Sequence, residues 1–424
     1  MNMRVIFSIY NVFWYLFLFF LIIRETLLRR PLLKYINPLS TQDIKKLKGK
    51  KIIWIQAVSV GETVAANTIV RELIKYFPDH QIVFTTHTPT GQAMAHKLLK
   101  DLAIITYFPL DFHVVMKRFI RLINPVMYLF FETEIWPNTI RFCKNAGAKI
   151  IMINGRISDH SYPNYLRLRF FLKHVLNLVD LFAMQSEEDA KRIKNLGANE
   201  DRIVITGNVK FDQQYPQIQP AEVQAFKQAY GWDDKLIFVA ASTHRGEEET
   251  IIQTYLEIKK EMPFVLVLAP RHPERGPELE KLLRKNGLNY TKRTWQTHPT
   301  IPEVLLLDTF GELGLIYAAG DVVFVGGSLV KVGGHNVLEA AFQQKVVIYG
   351  PYMNNFRDSK ILLEKIEAGL VVHNKIELLS TIKKLVNNKE FYQTRGIMAR
   401  EKILTNRGAS KKTIEHVFEL MKQA

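Results

Sequence analysis

Short, nearly unbroken apolar runs alternate with amphipathic segments along most of this chain, a rhythm that predicts parallel sheet with crossover helices. The first set of predicted strands is Ile52–Ala57, Ile82–Thr86, Val126–Phe131, Ile150–Asn154 and Leu181–Met184. A second set comprises Leu236–Ala241, Phe264–Ala269, Val304–Leu307, Val322–Val325 and Val346–Tyr349. These runs are rich in β-branched residues, so both faces of each sheet are expected to be covered. Between the sets, Phe211–Asp234 carries Pro216, Pro220 and several glutamines but no strong strand, and reads as a linker with an entry helix. The pattern therefore predicts a doubly wound α/β protein with domains at 25–210 and 236–424 joined by 211–235. The final helical segment, from about Met398 to Ala424, is free to fold back on either domain, the N-terminal one included.

One apolar run is too long for a strand. Val5–Ile23 contains no charged side chain, and as a helix it would reach roughly 28 Å at about 1.5 Å per residue, close to a bilayer core. Residues 1–24 are therefore expected to form a membrane anchor. Arg24, Arg29, Arg30 and Lys34 follow the run and only Arg4 precedes it, so the positive-inside rule puts the rest of the chain in the cytoplasm. No small-x-small cleavage site follows Ile23, against a removed signal peptide.

Composition narrows the partners. The 424 residues are 47% apolar, enough for two cores, and 57 Lys and Arg against 41 Asp and Glu give a formal charge of +16. That excess favours anionic partners: nucleic acid, acidic lipid or phosphorylated substrate. The single cysteine, Cys143, excludes an internal disulfide and a cysteine-based zinc cluster, and the 12 histidines show no metal-ligand spacing.

Candidate chemistry gathers where predicted strands end, the edge at which open parallel sheets bind ligands. Gly326-Gly327-Ser328 and Gly333-Gly334-His335-Asn336 bracket a loop between a buried strand and a helix, a composition that lets backbone N–H groups close on a phosphate. The plainer alternative is a tight turn. Glu339 lies about one turn into that helix, where it could accept hydrogen bonds from a ribose. Ser59-Val60-Gly61-Glu62 follows the first strand, and Glu62 at a helix start suits either a general base or a complement to the helix dipole. Glu132-Thr133-Glu134-Ile135-Trp136-Pro137-Asn138 places two more carboxylates at the same edge, to orient a base or to cap a helix. Lys210 in Gly207-Asn208-Val209-Lys210 brings a positive charge, in a cleft or solvated. In the second half, Ala241-Ser242-Thr243-His244-Arg245-Gly246-Glu247 enters a helix. Pro270-Arg271-His272-Pro273 holds Arg271 on a stiff loop suited to a phosphate oxygen or to an ion pair. Gly311-Glu312-Leu313-Gly314 could lend backbone groups to a base or ribose.

Taken together and in this order, these motifs resemble the 3-deoxy-D-manno-octulosonic acid (Kdo) transferases of Gram-negative bacteria, over nearly the whole chain. The resemblance implies a GT-B glycosyltransferase with two Rossmann-like domains facing a cleft, the N-terminal one binding acceptor and the C-terminal one CMP-Kdo. It implies inverting transfer of Kdo to the lipid A precursor at the bacterial inner membrane, behind a single-pass anchor. No cofactor, metal or nucleic acid is expected. Glu62 matches the proton acceptor, and Glu132 and Lys210 match positions that support the transition state. Pro270, Arg271, Gly311, Glu312, Leu313, Asn336, Val337, Leu338 and Glu339 match donor contacts, to which Ser328 of the glycine loop is added. Val337 stands where the family usually has proline, which would pre-set the first helical turn. A dinucleotide-dependent dehydrogenase would share the fold class, but no Gly-x-Gly-x-x-Gly follows the first strand. A membrane-bound scaffold would explain the charge but not carboxylates and glycines at strand ends.

Overall fold

The computed structural model describes residues 7–8, 10–12, 14–15, 33–295 and 300–423. The chain divides into two compact units, one of residues 1–213 with 406–424 and one of residues 214–405. Each is built on a seven-stranded parallel sheet.

The first sheet contains β1 (Lys51–Gln56), β2 (His80–Thr86), β3 (Ala103–Tyr107), β4 (Pro125–Phe131), β5 (Lys149–Gly155), β6 (Leu181–Met184) and β7 (Ile203–Ile205), in the order β3-β2-β1-β4-β5-β6-β7. Strand order reverses between β1 and β4, which makes the gap beyond their carboxyl ends the natural ligand crevice of this unit. Alternation along β1 separates two cores. Ile52 and Trp54 enter one with Tyr128 and Phe130, while Ile53 and Ile55 enter the other with Leu129 and Phe131. Trp54 is fully buried, and its indole N–H donates to Thr85 Oγ1 at 2.9 Å, so this large side chain is covered without leaving a polar atom unpaired.

The second core is closed by the helix Ala409–Lys422, whose Ala409, Ile414 and Val417 pack with Ile69 and Val70 of the helix Val60–Tyr76. Asp212 fixes the start of that returning helix. Its carboxylate accepts from the N–H groups of Gly408 (2.6 Å) and Ser410 (2.5 Å), an anion set on a helix N-terminus. The terminal helical segment is thus two helices, Lys389–Thr405 in the second unit and Ala409–Lys422 in the first.

The second unit holds β8 (Leu236–Thr243), β9 (Phe264–Pro270), β10 (Tyr290–Lys292), β11 (Val304–Leu306), β12 (Val322–Val325), β13 (Val347–Tyr349) and β14 (Gly369–Val371), ordered β10-β11-β9-β8-β12-β13-β14. Its switch point lies between β8 and β12. The segment expected as linker divides here. Val209–Asp212 is a 3-10 turn of the first unit, and Pro220–Tyr230 is a helix of the second, started by Pro220 and stopped by Gly231 at φ +68°.

The predicted span Val5–Ile23 lies largely outside the described residues, and no helix among the described residues is long and apolar enough to cross a membrane. The described positions of that run contact the first unit. Phe7 is fully buried, Tyr10 donates to Asp111 Oδ2 at 2.8 Å, Asn138 Nδ2 donates to Asn11 Oδ1 at 2.8 Å, and Trp14 is 8% exposed. Asp111 also accepts from the N–H groups of Asn138 (3.0 Å) and Thr139 (2.7 Å) in the first turn of the helix Pro137–Asn145. Burial raises its pKa to about 6 even so.

Candidate active site

In the first unit, three chain segments bring the predicted catalytic side chains together at the β1/β4 switch point. After β1, Ser59 caps the helix Val60–Tyr76, its hydroxyl accepting from the N–H of Glu62 at 3.3 Å. The Glu62 carboxylate folds back and accepts from Val58 N–H at 2.8 Å and Ser59 Oγ at 3.0 Å. Burial pushes its pKa up to about 7. The nearby Glu132 charge adds to the rise, Glu134 contributes less, and the two hydrogen bonds offset only part of it. Glu62 therefore braces the turn that enters its helix, and its carboxyl keeps its proton to near neutrality.

Glu132 leaves β4 in the left-handed region, φ +51°, while its N–H still pairs with Ile153 O at 3.0 Å. A non-glycine residue held there costs of order 1–3 kcal/mol, a strain that turns the side chain out of the strand line. Its Oε1 lies 3.2 Å from Lys210 Nζ. Lys210 sits in the turn after β7, held by Asn208 Oδ1 on its N–H (2.9 Å) and by Asn154 Oδ1 on the N–H of Val209 (3.1 Å). Asn154 also has positive φ, +53°, at the end of β5. Glu134 accepts from the indole N–H of Trp136 at 2.8 Å, and burial raises its pKa. The Trp136 ring stacks 5.3 Å from His87, which also stacks on Phe108 at 4.5 Å and lies 3.2 Å from Gln56 Nε2, and burial lowers the His87 pKa to about 4. Nothing in the sequence pattern flagged His87, which follows β2, the neighbour of β1.

In the second unit the ends of β8, β9 and β12 meet. Arg271 follows the buried Pro270, its N–H on Thr243 O at 3.0 Å, and its guanidinium has no hydrogen bond or ion pair among the described residues. His244 and His335 lie nearly parallel, 7° between planes, with their Nε2 atoms 2.8 Å apart. Burial, His244 and Arg271 lower the His335 pKa to about 3, and burial also lowers that of His244.

The glycine loop differs from the expected phosphate cradle. Glu247, fully buried, turns its carboxylate into the loop and accepts the N–H groups of Gly327 (2.7 Å), Ser328 (2.9 Å) and Leu329 (2.8 Å), with His244 N–H at 2.9 Å. The amides that would have gripped an anion hold an internal one. Ser328 is likewise committed: it is fully buried, donating to Val325 O at 2.6 Å and accepting from Gly350 N–H at 2.8 Å, so it has no surface for a donor. Glu247 itself stands at the N-cap of the helix Glu248–Ile258, and no local spacing in the sequence points from it to the glycine loop.

Other donor candidates are constrained too. Val337 and Leu338 are buried side chains, so any ligand contact there is through backbone. Asn336 donates to Tyr215 OH at 3.1 Å and accepts from Leu338 N–H at 3.0 Å. The helix it precedes spans only Leu338–Phe342, too short for a strong dipole. Glu339 is half-buried, and burial raises its pKa. Gly311 takes φ +92°, and Leu313 starts a short helix. Glu312 is tied to Arg293 by Nε (2.9 Å) and Nη2 (2.7 Å) on Oε1, and that guanidinium holds its pKa down. Among the described residues no three His, Cys, Asp or Glu side chains cluster as metal ligands.

Residues 34–213 match the family model of 3-deoxy-D-manno-octulosonic-acid transferase (kdotransferase). The 3-deoxy-D-manno-octulosonic acid transferase of Haemophilus influenzae is 34% identical over 366 residues, covering 86% of each chain. The chain belongs to the Kdo transferase family. It is thus a glycosyltransferase. A bifunctional glycosyltransferase/methyltransferase of Fusobacterium nucleatum is 36% identical over 374 residues, and the chain spans 58% of that longer protein. A glycosyltransferase crystal structure from Rickettsia africae shares the fold, with TM-score 0.59 and 14% identity over 89% of this chain and all of that one. The GT-B class expected for a Kdo transferase is the class found, while the anchor helix lies outside what the fold describes.

Proposed function

We propose that this Kdo transferase takes the sugar from CMP-Kdo and joins it, with inversion, to a glucosamine 6-hydroxyl of the lipid A precursor in lipopolysaccharide assembly. Glu62 accepts the hydroxyl proton as that oxygen bonds to C2 of Kdo, and the bond from C2 to the phosphate oxygen breaks, releasing CMP. The observation that carries this reading is the Glu62 carboxyl held near pKa 7 by burial and by Glu132, the range in which a general base works best at neutral pH. Glu132, strained and paired with Lys210, sets the charge around the developing oxocarbenium. In the second unit Arg271 meets the phosphate, Pro270 stiffens its loop, and Gly311–Leu313 and Asn336–Glu339 contact the nucleoside, largely by backbone.

Attachment to the inner membrane through residues 1–24, with both units in the cytoplasm, belongs to the same proposal. It is supported by the uncharged run Val5–Ile23 and the basic residues after it. The test is incubation of purified protein with CMP-Kdo and a tetraacyl lipid A precursor, followed by mass spectrometry of the lipid. One or more added Kdo masses, abolished in Glu62→Gln, is the expected result, and no added mass in the wild type would refute the reading.

A further inference from the structure

The glycine loop and the imidazole pair share one support. Glu247 Oε2 accepts both His244 N–H (2.9 Å) and Gly327 N–H (2.7 Å), while Oε1 accepts Ser328 and Leu329. Gly327, at φ +66°, lies so close to the pair that a Cβ there would come within 2.8 Å of His335 Cδ2 and 3.4 Å of His244 Cδ2. Its carbonyl accepts Gly334 N–H at 2.7 Å, which ties the two glycine pairs together. A single carboxylate oxygen therefore registers His244 by its backbone and His335 through the glycine it rests against. No lysine or arginine pairs with Glu247 among the described residues, and its charge is met by four backbone N–H groups, the arrangement of an anion nest.

We propose that Glu247 is a positioning residue of the donor site, an internal anion whose charge holds the glycine loop and sets the His244–His335 pair beside Arg271. The proposal rests on the reading of the second unit as the donor-binding one. Removing the charge frees four N–H groups and lets the loop shift, which lengthens and misaligns the Nε2–Nε2 contact, 2.8 Å in the intact loop. Because the cavity left by Glu247→Ala is a carboxylate-shaped nest, a small carboxylate can refill it.

The test uses the full-length protein, CMP as calorimetric ligand and the imidazole proton resonances of His244 and His335. Glu247→Ala is expected to weaken CMP binding about tenfold to a hundredfold, the scale of lost hydrogen bonds to a charged group. Sodium formate, but not sodium chloride at equal ionic strength, restores affinity saturably and returns the imidazole resonances to their wild-type positions. Glu247→Gln, which keeps the size and one acceptor oxygen, falls between and is not rescued. Wild-type CMP affinity in either variant overturns the proposal, as does a folded Glu247→Ala protein whose lost affinity formate leaves unchanged. If Glu247→Ala does not fold, Glu247→Gln decides. Absence of CMP binding by the wild type refutes the donor reading instead, and the resonances still report whether Glu247 sets the pair.

Discussion

Glu62→Gln should make the protein more stable at neutral pH as it removes activity. In the unfolded chain this carboxyl titrates near 4.5, but in the folded protein it holds its proton to about pH 7. Between those values the folded state binds more protons than the unfolded state, so stability falls as pH rises through the window. A displacement of that size corresponds to about 3 kcal/mol at about 1.36 kcal/mol per unit, present in full below pH 4.5 and gone above pH 7. Glutamine does not titrate and loses only this slope, together with a pH-independent penalty of about 1 kcal/mol, because it can accept one of the two bonds from Val58 and Ser59. The assay is thermal unfolding of both proteins at pH 5 and pH 8, following the transition of the first unit. At roughly 2–4 °C per kcal/mol for a unit of this size, the variant should gain about 6 °C or more on the wild type between the two pH values. Parallel pH dependence in the two proteins would refute the claim that Glu62 is held protonated by its surroundings.

The same shift predicts that kcat/KM rises about tenfold per pH unit below an apparent pKa near 7 and levels above it. Glu132→Gln should move that limb to lower pH, since the Glu132 charge is the second cause of the shift. With pre-made CMP-Kdo, activity should be unchanged in EDTA, as expected if the Arg271 guanidinium meets the donor's one phosphate as proposed; activity restored only by Mg²⁺ would contradict this. Tyr10→Phe should cost about 1.5–3 kcal/mol, read by denaturant titration, because it removes a donor from the buried Asp111 carboxyl. An unchanged midpoint would show that the contact carries no stability.

Every interior strand of both sheets was legible from apolar runs, and the four strands that were not are the four edges, β3, β7, β10 and β14. An interior parallel strand is covered on both faces and reads as continuous hydrophobicity, whereas β3 alternates buried and half-buried positions and β7 is nowhere fully buried. The glycine loop was legible as a special backbone but not in its use. Glycine composition says that amides converge, while the anion they converge on, Glu247, comes from a loop some eighty positions earlier in the chain. Glu62 and Glu132 lie where the strand-end rule put them, and their meeting follows from strand order, which brings β1 beside β4; Lys210 instead comes in from beyond the edge strand β7, on a turn held by Asn154 and Asn208. The roles of Ser328, Val337 and Leu338 could not be read, because their burial is decided by neighbours on other strands.

The turn carrying Lys210 is braced by Asp212, and Asp212 in turn by the helix Ala409–Lys422, a segment made only after the whole second unit has been synthesised. During translation, the helix face of Ile69 and Val70 must wait uncovered while the ribosome builds an intervening sheet. The early half of the protein is thus exposed to chaperones and proteases longest. Fragments ending near residue 213 should be recovered as aggregation-prone intermediates, and supplying 406–424 as a separate peptide should rescue their solubility. A lesion in that late segment, such as Ile414→Asp, would then read in a cell as missing protein.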